Sequence, residues 1–213
     1  MKRLIIAIDG PSGAGKGTVS RTLAASLGYR HIDTGAMYRA IGWKANIEGI
    51  ALDDERGVSD LAQRADIAVE GGVVSIDGHD VTRTIRTPEI DRAAAVVARL
   101  PRVREIMVAR QRTLGEGRDI GTVVFPAADV KIYLDASAEE RARRRAGDPA
   151  HTGGQAGREA VAASIAARDT SDTTRTVSPL TLAPDAAYID TTGMPIDQVV
   201  DAVMERVRRK IRD

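Results

Sequence analysis

The sequence predicts an α/β fold, a doubly wound parallel sheet with helices on both faces. Residues 4–8 form an apolar run that suits a strand buried on both faces of such a sheet. Comparable runs at 131–135 and 186–190 each precede a stretch with helical signals. Strands that alternate with helices pair in parallel through right-handed crossovers, so these runs are expected to belong to one sheet.

The pattern changes between residues 67 and 82. Short β-rich runs are separated there by turn sequences at Glu70-Gly71-Gly72 and Asp77-Gly78, which predicts a small antiparallel meander inserted into the α/β unit. A further strand is expected at 29–33. Helices are expected from Lys16 to Gly28, at 34–47, after Ser137 and at 196–211. Residues 88–112 are expected to form two helices that meet at Pro101.

Composition narrows the class of protein. The 213 residues are enough for one substantial core with an inserted subdomain. Basic and acidic residues number 31 and 30, so the overall charge attracts neither nucleic acid nor an anionic membrane. The absence of cysteine excludes disulfides and thiolate chemistry, and no apolar run approaches the about 20 residues of a membrane span. We expect a cytoplasmic monomer.

The segment after the first predicted strand has the spaced glycines and the lysine of a Walker A phosphate loop, and it opens a helix. Backbone N–H groups of such a loop converge on phosphate oxygens, and Lys16 neutralises the β and γ phosphates. The candidate ATP-binding residues here are Gly10, Ser12, Gly13, Ala14, Gly15, Lys16, Gly17 and Thr18.

Gly17 stands where the general loop pattern has Ser or Thr. The resulting Gly-Lys-Gly-Thr sequence resembles nucleoside monophosphate kinases rather than GTPases, and no Asn-Lys-x-Asp guanine-reading segment occurs. Thr18, one place later, is the candidate ligand for Mg²⁺.

Arginines beside predicted strand ends indicate a second anion site. A phosphoryl acceptor that is itself a nucleotide carries a phosphate, which guanidinium groups bind through two parallel hydrogen bonds. Arg39 follows the predicted strand at 29–33, Arg118 precedes the strand at 131–135, and Arg168, Asp172 and Arg175 lie together.

Five segments resemble the bacterial cytidylate kinases in order and content: 9–18, 33–39, 117–126, 131–145 and 168–180. Gly-Arg-Asp-Ile-Gly-Thr, which begins at Gly117, is the most specific of these motifs. The resemblance covers nearly the whole chain, and the predicted meander resembles the nucleotide-binding subdomain inserted in that family.

The resemblance implies roles for the polar residues. Arg39, Arg118 and Arg175 would hold the acceptor phosphate, and Arg168 and Asp172 would face the ribose. The remaining implied assignments are Arg104 and Asp119 at the cytosine edge, Ser12 and Asp33 in the acceptor pocket, and Lys16, Arg118, Asp119 and Arg175 as catalytic residues.

Four arginines at 141, 143, 144 and 145 resemble the lid that closes over ATP in this family, and Arg144 is the one expected to bind ATP. By the same resemblance, residues 1–33 and 110–213 would form the P-loop core, with a short helical lid at about 141–170. Residues 34–109 would form the inserted nucleoside monophosphate-binding subdomain.

Two departures from the family pattern stand out. An apolar strand precedes Gly117 in the family, but here only residues 113–116 separate Arg112 from it. The nominally five-stranded sheet is therefore expected to lose a central strand or to take one from 103–110. Ala95 stands near a position where the family has a serine that reaches the base, a loss that would relax cytosine preference by about 1–3 kcal/mol.

The first functional hypothesis is ATP-dependent, in-line phosphorylation of CMP and dCMP with ATP and Mg²⁺, a reaction of pyrimidine metabolism, with UMP a weaker substrate. Phosphoryl transfer requires positioning and charge neutralisation, so no covalent nucleophile is needed. Two alternatives stay open. One is another small-molecule P-loop kinase, and the other is a nucleotide-binding protein with weak or no turnover because the strand before Gly117 is missing.

Overall fold

The computed structural model describes residues 4–29, 31, 33–114, 120–148 and 158–212. In chain order the elements are β1 (Ile6–Asp9), α1 (Lys16–Leu27), α2 (Thr34–Ile47), α3 (Glu55–Arg64), β2 (Ile67–Glu70), β3 (Val73–Ile76), β4 (His79–Asp80), α4 (Pro88–Val97), α5 (Pro101–Leu114), a π-helical turn (Ile120–Val124), β5 (Val130–Asp135), α6 (Ala138–Ala146), α7 (Arg158–Thr174), β6 (Ala187–Asp190) and α8 (Ile196–Arg212). The predicted α/β class is confirmed.

The parallel sheet has the strand order β1-β5-β6 within the described residues. β1 pairs with β5 from Ile6 opposite Val130, and β5 pairs with β6 from Ile132 opposite Ala187. Side chains of β1 and β5 are buried in one apolar cluster with α1 and α8. The three strands expected from apolar runs are thus confirmed. β5 is the middle strand of the described sheet, and β1 pairs with it at one edge.

No additional strand flanks β1 among the described residues, in agreement with the first of the two alternatives, that the sheet loses its central strand. Residues 103–110 stay helical within α5, so the prediction that they could supply a strand is wrong. The π-helical turn lies beside β1 instead, and the Gly121 N–H donates to Asp9 Oδ2 at 2.9 Å. Val124 is buried with Ala7 and Val108, so apolar packing fills this flank.

The strand expected at 29–33 is also wrong for the described positions 29, 31 and 33, which are not in a strand. Polar groups of Tyr29 and Asp33 instead form hydrogen bonds at the end of α1 and at the start of α2. The Tyr29 N–H donates to Ala24 O at the end of α1, and the Asp33 carboxylate accepts from the Ala36 N–H as the N-cap of α2.

The predicted meander is confirmed as an antiparallel sheet in the order β2-β3-β4. Ile67 pairs with Ile76, and Asp77 adopts a φ of 50° in the turn that follows β3. Its inner face packs with α2 to α5 around buried residues such as Leu61 and Met107. This second apolar cluster is separate from the one beneath the parallel sheet.

Local signals fixed most helix boundaries. Gly28 ends α1 at a φ of 64°, Pro101 begins α5, and the Ser137 side chain accepts from the Glu140 N–H at 3.2 Å. These predictions are confirmed. Across the described ranges, none of the helices combines the length and apolarity that crossing a membrane would need.

Candidate active site

A cavity of about 1260 Å³ opens at the end of β1. Its volume exceeds the about 300–1,000 Å³ of an ordinary small-molecule pocket, so it has room for more than one ligand. The described residues that line it include Ser12 to Arg21, Asp33 to Gly35, Arg39, Arg83, Arg86, Glu140, Arg143 to Arg145, and Met194 to Ile196.

The phosphate loop connects β1 to α1 along one wall of this cavity. Gly10, Gly13 and Gly15 have φ values of 141°, 82° and 91°, a region that L side chains rarely adopt. A Cβ on Gly10 would lie 1.9 Å from the Leu134 carbonyl oxygen in β5. The close approach of loop and sheet therefore requires glycine, and the loop aims backbone N–H groups and the start of α1 into the cavity.

Lys16 is folded back over this loop. Its Nζ donates to Gly10 O at 2.7 Å and to Pro11 O at 2.6 Å. The ammonium group thus sits inside the ring of backbone groups, where a bound phosphate oxygen would replace these carbonyl contacts. A lysine in this position supplies a compact positive charge to a polyphosphate.

Thr18 is exposed on the first turn of α1 and lines the cavity. Its hydroxyl is a hard oxygen ligand of the kind Mg²⁺ prefers, and Mg²⁺ usually keeps several waters beside phosphate oxygens. Among the residues that the structure describes, no group of three or more His, Asp or Glu side chains could hold a metal. This chemistry fits Mg²⁺ carried mainly by the nucleotide.

Three arginines of α6 donate hydrogen bonds to the phosphate loop: Arg141, Arg144 and Arg145. Arg141 Nη1 donates to Ser12 O at 3.1 Å and forms an ion pair with Asp169 of α7. Arg145 Nη2 donates to Ser12 Oγ at 3.0 Å. The Ser12 N–H donates to Asp169 Oδ1 at 3.2 Å. Hydrogen bonds from α6 and α7 therefore hold the phosphate loop in position at Ser12.

Arg144 lines the cavity and also contacts Thr191, the residue that follows β6. Its Nη1 and Nη2 donate to Thr191 Oγ1 and O at 2.8 and 2.6 Å, and its Nε donates to Glu140 Oε1 at 2.8 Å. Arg143 also pairs with Glu140. Hydrogen bonds from Arg143, opposed by desolvation and aided by Arg144, lower the pKa of Glu140 to about 2.

A cluster of three arginines, two of them buried and one partly buried, lies at another part of the cavity wall. Arg39 of α2 donates from Nε to Asp91 Oδ1 at 2.8 Å, and Arg168 Nη1 of α7 lies 3.0 Å from the same oxygen. Arg145 Nη1 lies 4.0 Å from Asp91 Oδ2. We call Arg39, Arg145 and Arg168 the guanidinium cluster, because one carboxylate on α4 contacts all three.

Charges near Arg39 shift several pKa values. Burial opposes the charge of Arg39, but the nearby carboxylates of Asp91 and Asp33 outweigh it and raise its pKa. Burial also opposes ionisation of Asp33, yet Arg39 and Arg86 lower its pKa. The pKa of Arg86 is lowered by burial and by repulsion from Arg39. Asp33 is therefore a carboxylate set among guanidinium groups at the cavity wall.

Asp172 and Arg175 form a separate buried pair. Arg175 Nη1 lies 3.1 Å from Asp172 Oδ1, and its Nε donates to Ser178 O at 2.6 Å. Both side chains are almost fully buried, and neither residue is among the described lining of the cavity. Arg168 is likewise behind the wall, where it contacts Asp91.

Arg104 lies inside the packing of the inserted region. Its Nη1 donates to Ala98 O at 3.3 Å, and its guanidinium carbon is 5.7 Å from the centre of the Tyr38 ring. It is 1% exposed and does not belong to the described cavity lining. The cytosine-edge role implied for Arg104 would need this region to open.

The structure thus brings some of the sequence-predicted site residues together and leaves others apart. The phosphate-loop residues from Ser12 to Thr18, together with Asp33, Arg39 and Arg144, share the cavity. Gly10 shapes the loop beneath it, while Arg104, Arg168, Asp172 and Arg175 are buried behind the wall. Arg118 and Asp119, and residues 149–157 of the lid expected at about 141–170, lie outside the described residues.

Sequence reasoning missed Asp91 and Asp169. Asp91 lies in the first turn of α4 after the Thr87-Pro88 start signal, where an acid has an ordinary explanation in the helix dipole. Asp169 adjoins Arg168 in a polar stretch of α7. The sequence gives neither residue a motif, so only their tertiary contacts could have identified them.

Comparisons with known proteins agree with this geometry. Residues 6–209 match the family model described as cytidylate kinase. The chain is 45% identical to the cytidylate kinase of Solibacter usitatus, over 99% of this chain and 94% of that one. It is 46% identical to the cytidylate kinase of Bacillus subtilis, over 99% of each chain. It is 48% identical to that of Desulforamulus reducens, over 96% of each.

A crystal structure of TT1252 from Thermus thermophilus is also similar, with a TM-score of 0.44 and 20% identity, over 96% of this chain and 98% of that one. A similarity at that level says nothing about function. The family model, in contrast, matches residues 6–209, and these curated relatives are at least 45% identical over nearly the whole chain. The chain belongs to the cytidylate kinase family.

Proposed function

We propose that this protein transfers the γ-phosphoryl group of ATP to CMP, and to dCMP, in an in-line reaction with Mg²⁺. The observation that carries the proposal is the shared cavity, which is lined both by Lys16 of the phosphate loop and by Arg39 of the guanidinium cluster. A loop that binds polyphosphate beside a second set of guanidinium groups is what transfer between two nucleotides requires.

On the donor side, the loop N–H groups and Lys16 hold the phosphates of ATP. Arg144 is at hand to neutralise charge on the donor because it lines the same cavity while Glu140 and Thr191 orient its guanidinium. The Thr18 hydroxyl, together with the phosphates, would hold Mg²⁺, which would supply charge neutralisation when bound.

On the acceptor side, Arg39 takes the phosphate of CMP, and Asp33 lines the pocket beside it. Arg168, Asp172 and Arg175 act with them on the phosphate and ribose after a rearrangement of the wall, and Arg104 reads the base. Arg118 and Asp119 complete this set in the proposal through the resemblance of their motif alone. Ala95 on α4 adds no polar group for the base, which supports weak discrimination against UMP.

The transfer needs the acceptor phosphate oxygen in line with the γ phosphorus and water kept out. Guanidinium groups orient the acceptor and stay charged throughout, so they stabilise negative charge on the transferred group without moving a proton. The contacts of Arg141 and Arg145 with Ser12 would couple movement of α6 to the phosphate loop. Such coupling would favour transfer to CMP over transfer to water.

A second candidate function is nucleotide binding with little turnover. It is favoured by the described parallel sheet, which has three strands and a π-helical turn beside β1, and by the missing strand before Gly117. If that flank displaces the Gly117 motif, ATP would bind to the loop while the acceptor site stays incomplete.

The structure also supports a proposal about domains. The two larger apolar clusters of the described residues lie one under the parallel sheet and one around the meander with α2 to α5. A third, small cluster of Ala7, Val108 and Val124 joins the two regions. We assign 1–33 and 110–213 to the catalytic core, with a lid at about 141–170, and 34–109 to acceptor binding. We further propose that the enzyme works as a cytoplasmic monomer in pyrimidine metabolism.

A coupled assay of ADP release tests the activity, with ATP and each of CMP, dCMP, UMP, AMP and GMP in turn. We expect turnover with CMP and dCMP, less with UMP, and little with the purine nucleotides. ATP binding without ADP release in the presence of any acceptor would favour the second candidate. Equal turnover with AMP would contradict the pyrimidine assignment.

A further inference from the structure

Asp91 is a buried acid among basic groups that come from distant parts of the chain. Its carboxylate on α4 contacts Arg39 on α2 at 2.8 Å, Arg168 on α7 at 3.0 Å and Arg145 on α6 at 4.0 Å. Asp91 is 8% exposed, and Arg39 and Arg168 are 5% and 7% exposed. A helix-starting acid normally remains solvated, so burial among three guanidinium groups calls for another explanation.

The Asp91 carboxylate neutralises the positive charge of the guanidinium cluster, as a bound phosphate would. Arginine binds carboxylate and phosphate oxygens through the same donors and in similar geometry. Arg39 and Arg145 both line the cavity, so an anion that enters it reaches the same guanidinium groups that Asp91 already contacts. The guanidinium cluster therefore has two candidate partners, one fixed on α4 and one that arrives with a ligand.

We infer that Asp91 is an internal anion that holds the guanidinium cluster together when the acceptor phosphate is absent and weakens the binding of that phosphate. The inference rests on the proposed function for the identity of the acceptor. It makes Asp91 a residue that sets acceptor affinity by acting through Arg39, Arg145 and Arg168, without contact with the reacting atoms.

Electrostatics gives this inference a definite sign. Buried guanidinium groups repel one another, so loss of the carboxylate destabilises the empty protein. An incoming phosphate then meets more uncompensated positive charge and one fewer neighbouring carboxylate, with Asp33 still near Arg39, and its binding is strengthened. The same substitution should therefore lower stability without an anion and raise the stabilisation that an anion provides.

The test uses Asp91→Asn, which keeps the size and one acceptor oxygen but removes the charge. We expect a lower Tm in chloride buffer and a larger upward shift in Tm with inorganic phosphate or CMP than in the original protein. We also expect KM for CMP to fall about tenfold, since a like charge beside the bound phosphate is removed, while KM for ATP stays unchanged.

Asp185→Asn is the matched control. Asp185 pairs with Lys131 at 2.8 Å, its side chain is 62% exposed, and it is absent from the described cavity lining. This control removes an acidic charge and an ion pair elsewhere, so its shifts with phosphate and CMP should equal those of the original protein.

Three outcomes would overturn the inference. A higher KM for CMP with smaller shifts would show that Asp91 positions the guanidinium groups for binding. A lower Tm with unchanged shifts and unchanged KM would show a purely structural role. If Asp91→Asn does not fold in chloride, recovery of folding in phosphate supports the inference and failure to recover contradicts it. The phosphate experiment holds even if the original protein fails to phosphorylate CMP, so failure of the proposed function is recognised separately.

Discussion

The phosphate loop and the guanidinium cluster bind the same chemical group by opposite constructions. The loop is one continuous segment, and its glycines, its lysine and the helix that follows come from adjacent positions in the sequence. The cluster takes its arginines from α2, α6 and α7 and is organised by an acid on α4. A local site survives movements elsewhere, whereas a site built from four elements depends on how they pack.

The two sites are nevertheless linked through Ser12. Its carbonyl and hydroxyl accept hydrogen bonds from Arg141 and Arg145, and its N–H donates to Asp169. Arg145 also approaches Asp91 of the guanidinium cluster. The comparison therefore predicts separable effects on ATP and CMP when a substitution stays on one side. Lys16→Ala and Arg39→Ala test that separation, while Gly10→Ala and Glu140→Gln test how the loop and the helix beside it are built.

Lys16→Ala should have the largest effect. Removing the charge that neutralises the β and γ phosphates should lower kcat by about 10³-fold, as does loss of a comparable transition-state contact. KM for CMP should change little because the Lys16 ammonium lies over the donor loop, where it contacts the carbonyls of Gly10 and Pro11. Steady-state kinetics with both substrates measures this, and an unchanged rate would reject the phosphate-loop assignment.

Gly10→Ala tests the shape of the loop. A Cβ at this position would lie 1.9 Å from Leu134 O, at a φ of 141°, so we expect the free energy of unfolding to fall by about 3 kcal/mol. Gly28→Ala is the control, since its φ of 64° is also unfavourable but a Cβ there meets nothing within 4 Å. Urea unfolding of both variants separates the clash from the backbone strain, and equal losses would contradict the close approach.

Arg39→Ala tests the acceptor side. Loss of a guanidinium that binds phosphate should lower kcat/KM for CMP about 30-fold, which corresponds to about 2 kcal/mol for a charged hydrogen bond. KM for ATP should stay within about twofold, because Arg39 has no part in the loop. Arg39→Lys should recover only part of the activity, since lysine keeps the charge but lacks the Nε–H that Asp91 binds. A greater effect on ATP than on CMP would break the proposed division.

Glu140→Gln should have the smallest effect, and it depends on pH. The pKa of Glu140 is lowered from 4.5 to about 2, so its ion pairs stabilise the fold fully above pH 4.5 and lose that contribution as the pH falls through about 2. The variant should be slightly less stable near neutral pH and should converge with the original protein near pH 2. Unfolding measured between pH 7 and pH 2 tests this, and a constant difference would contradict the assignment. The effect is small because partly solvated ion pairs contribute little.

Much of the fold could be predicted from the sequence. Apolar runs predicted β1, β5 and β6, and turn residues predicted the meander β2-β3-β4, because burial on both faces and glycine turns leave direct patterns. The strand expected at 29–33 is absent at the described positions 29, 31 and 33, because the Tyr29 N–H ends α1 and the Asp33 carboxylate begins α2. The π-helical turn beside β1 has no comparable pattern in the sequence.

The candidate site divides in the same way. The phosphate loop could be predicted because its chemistry depends on φ angles and on spacing along one segment. The burial of Arg104 against Tyr38 could not, since an isolated arginine in a sequence is ordinarily expected at the surface. The role of Asp91 could not either, because its three contacts come from residues 52, 54 and 77 positions away along the chain.

The sequence by itself determined the α/β class, the phosphate loop with Lys16, the meander and most helix ends, because each depends on residues within one or two turns of one another. Tertiary structure decided the three-stranded described sheet, the fastening of Ser12 by α6 and α7, and the gathering of arginines around Asp91. Those features arise when distant charges are buried together, and buried guanidinium groups are stable only where the fold brings carboxylates within a few ångströms.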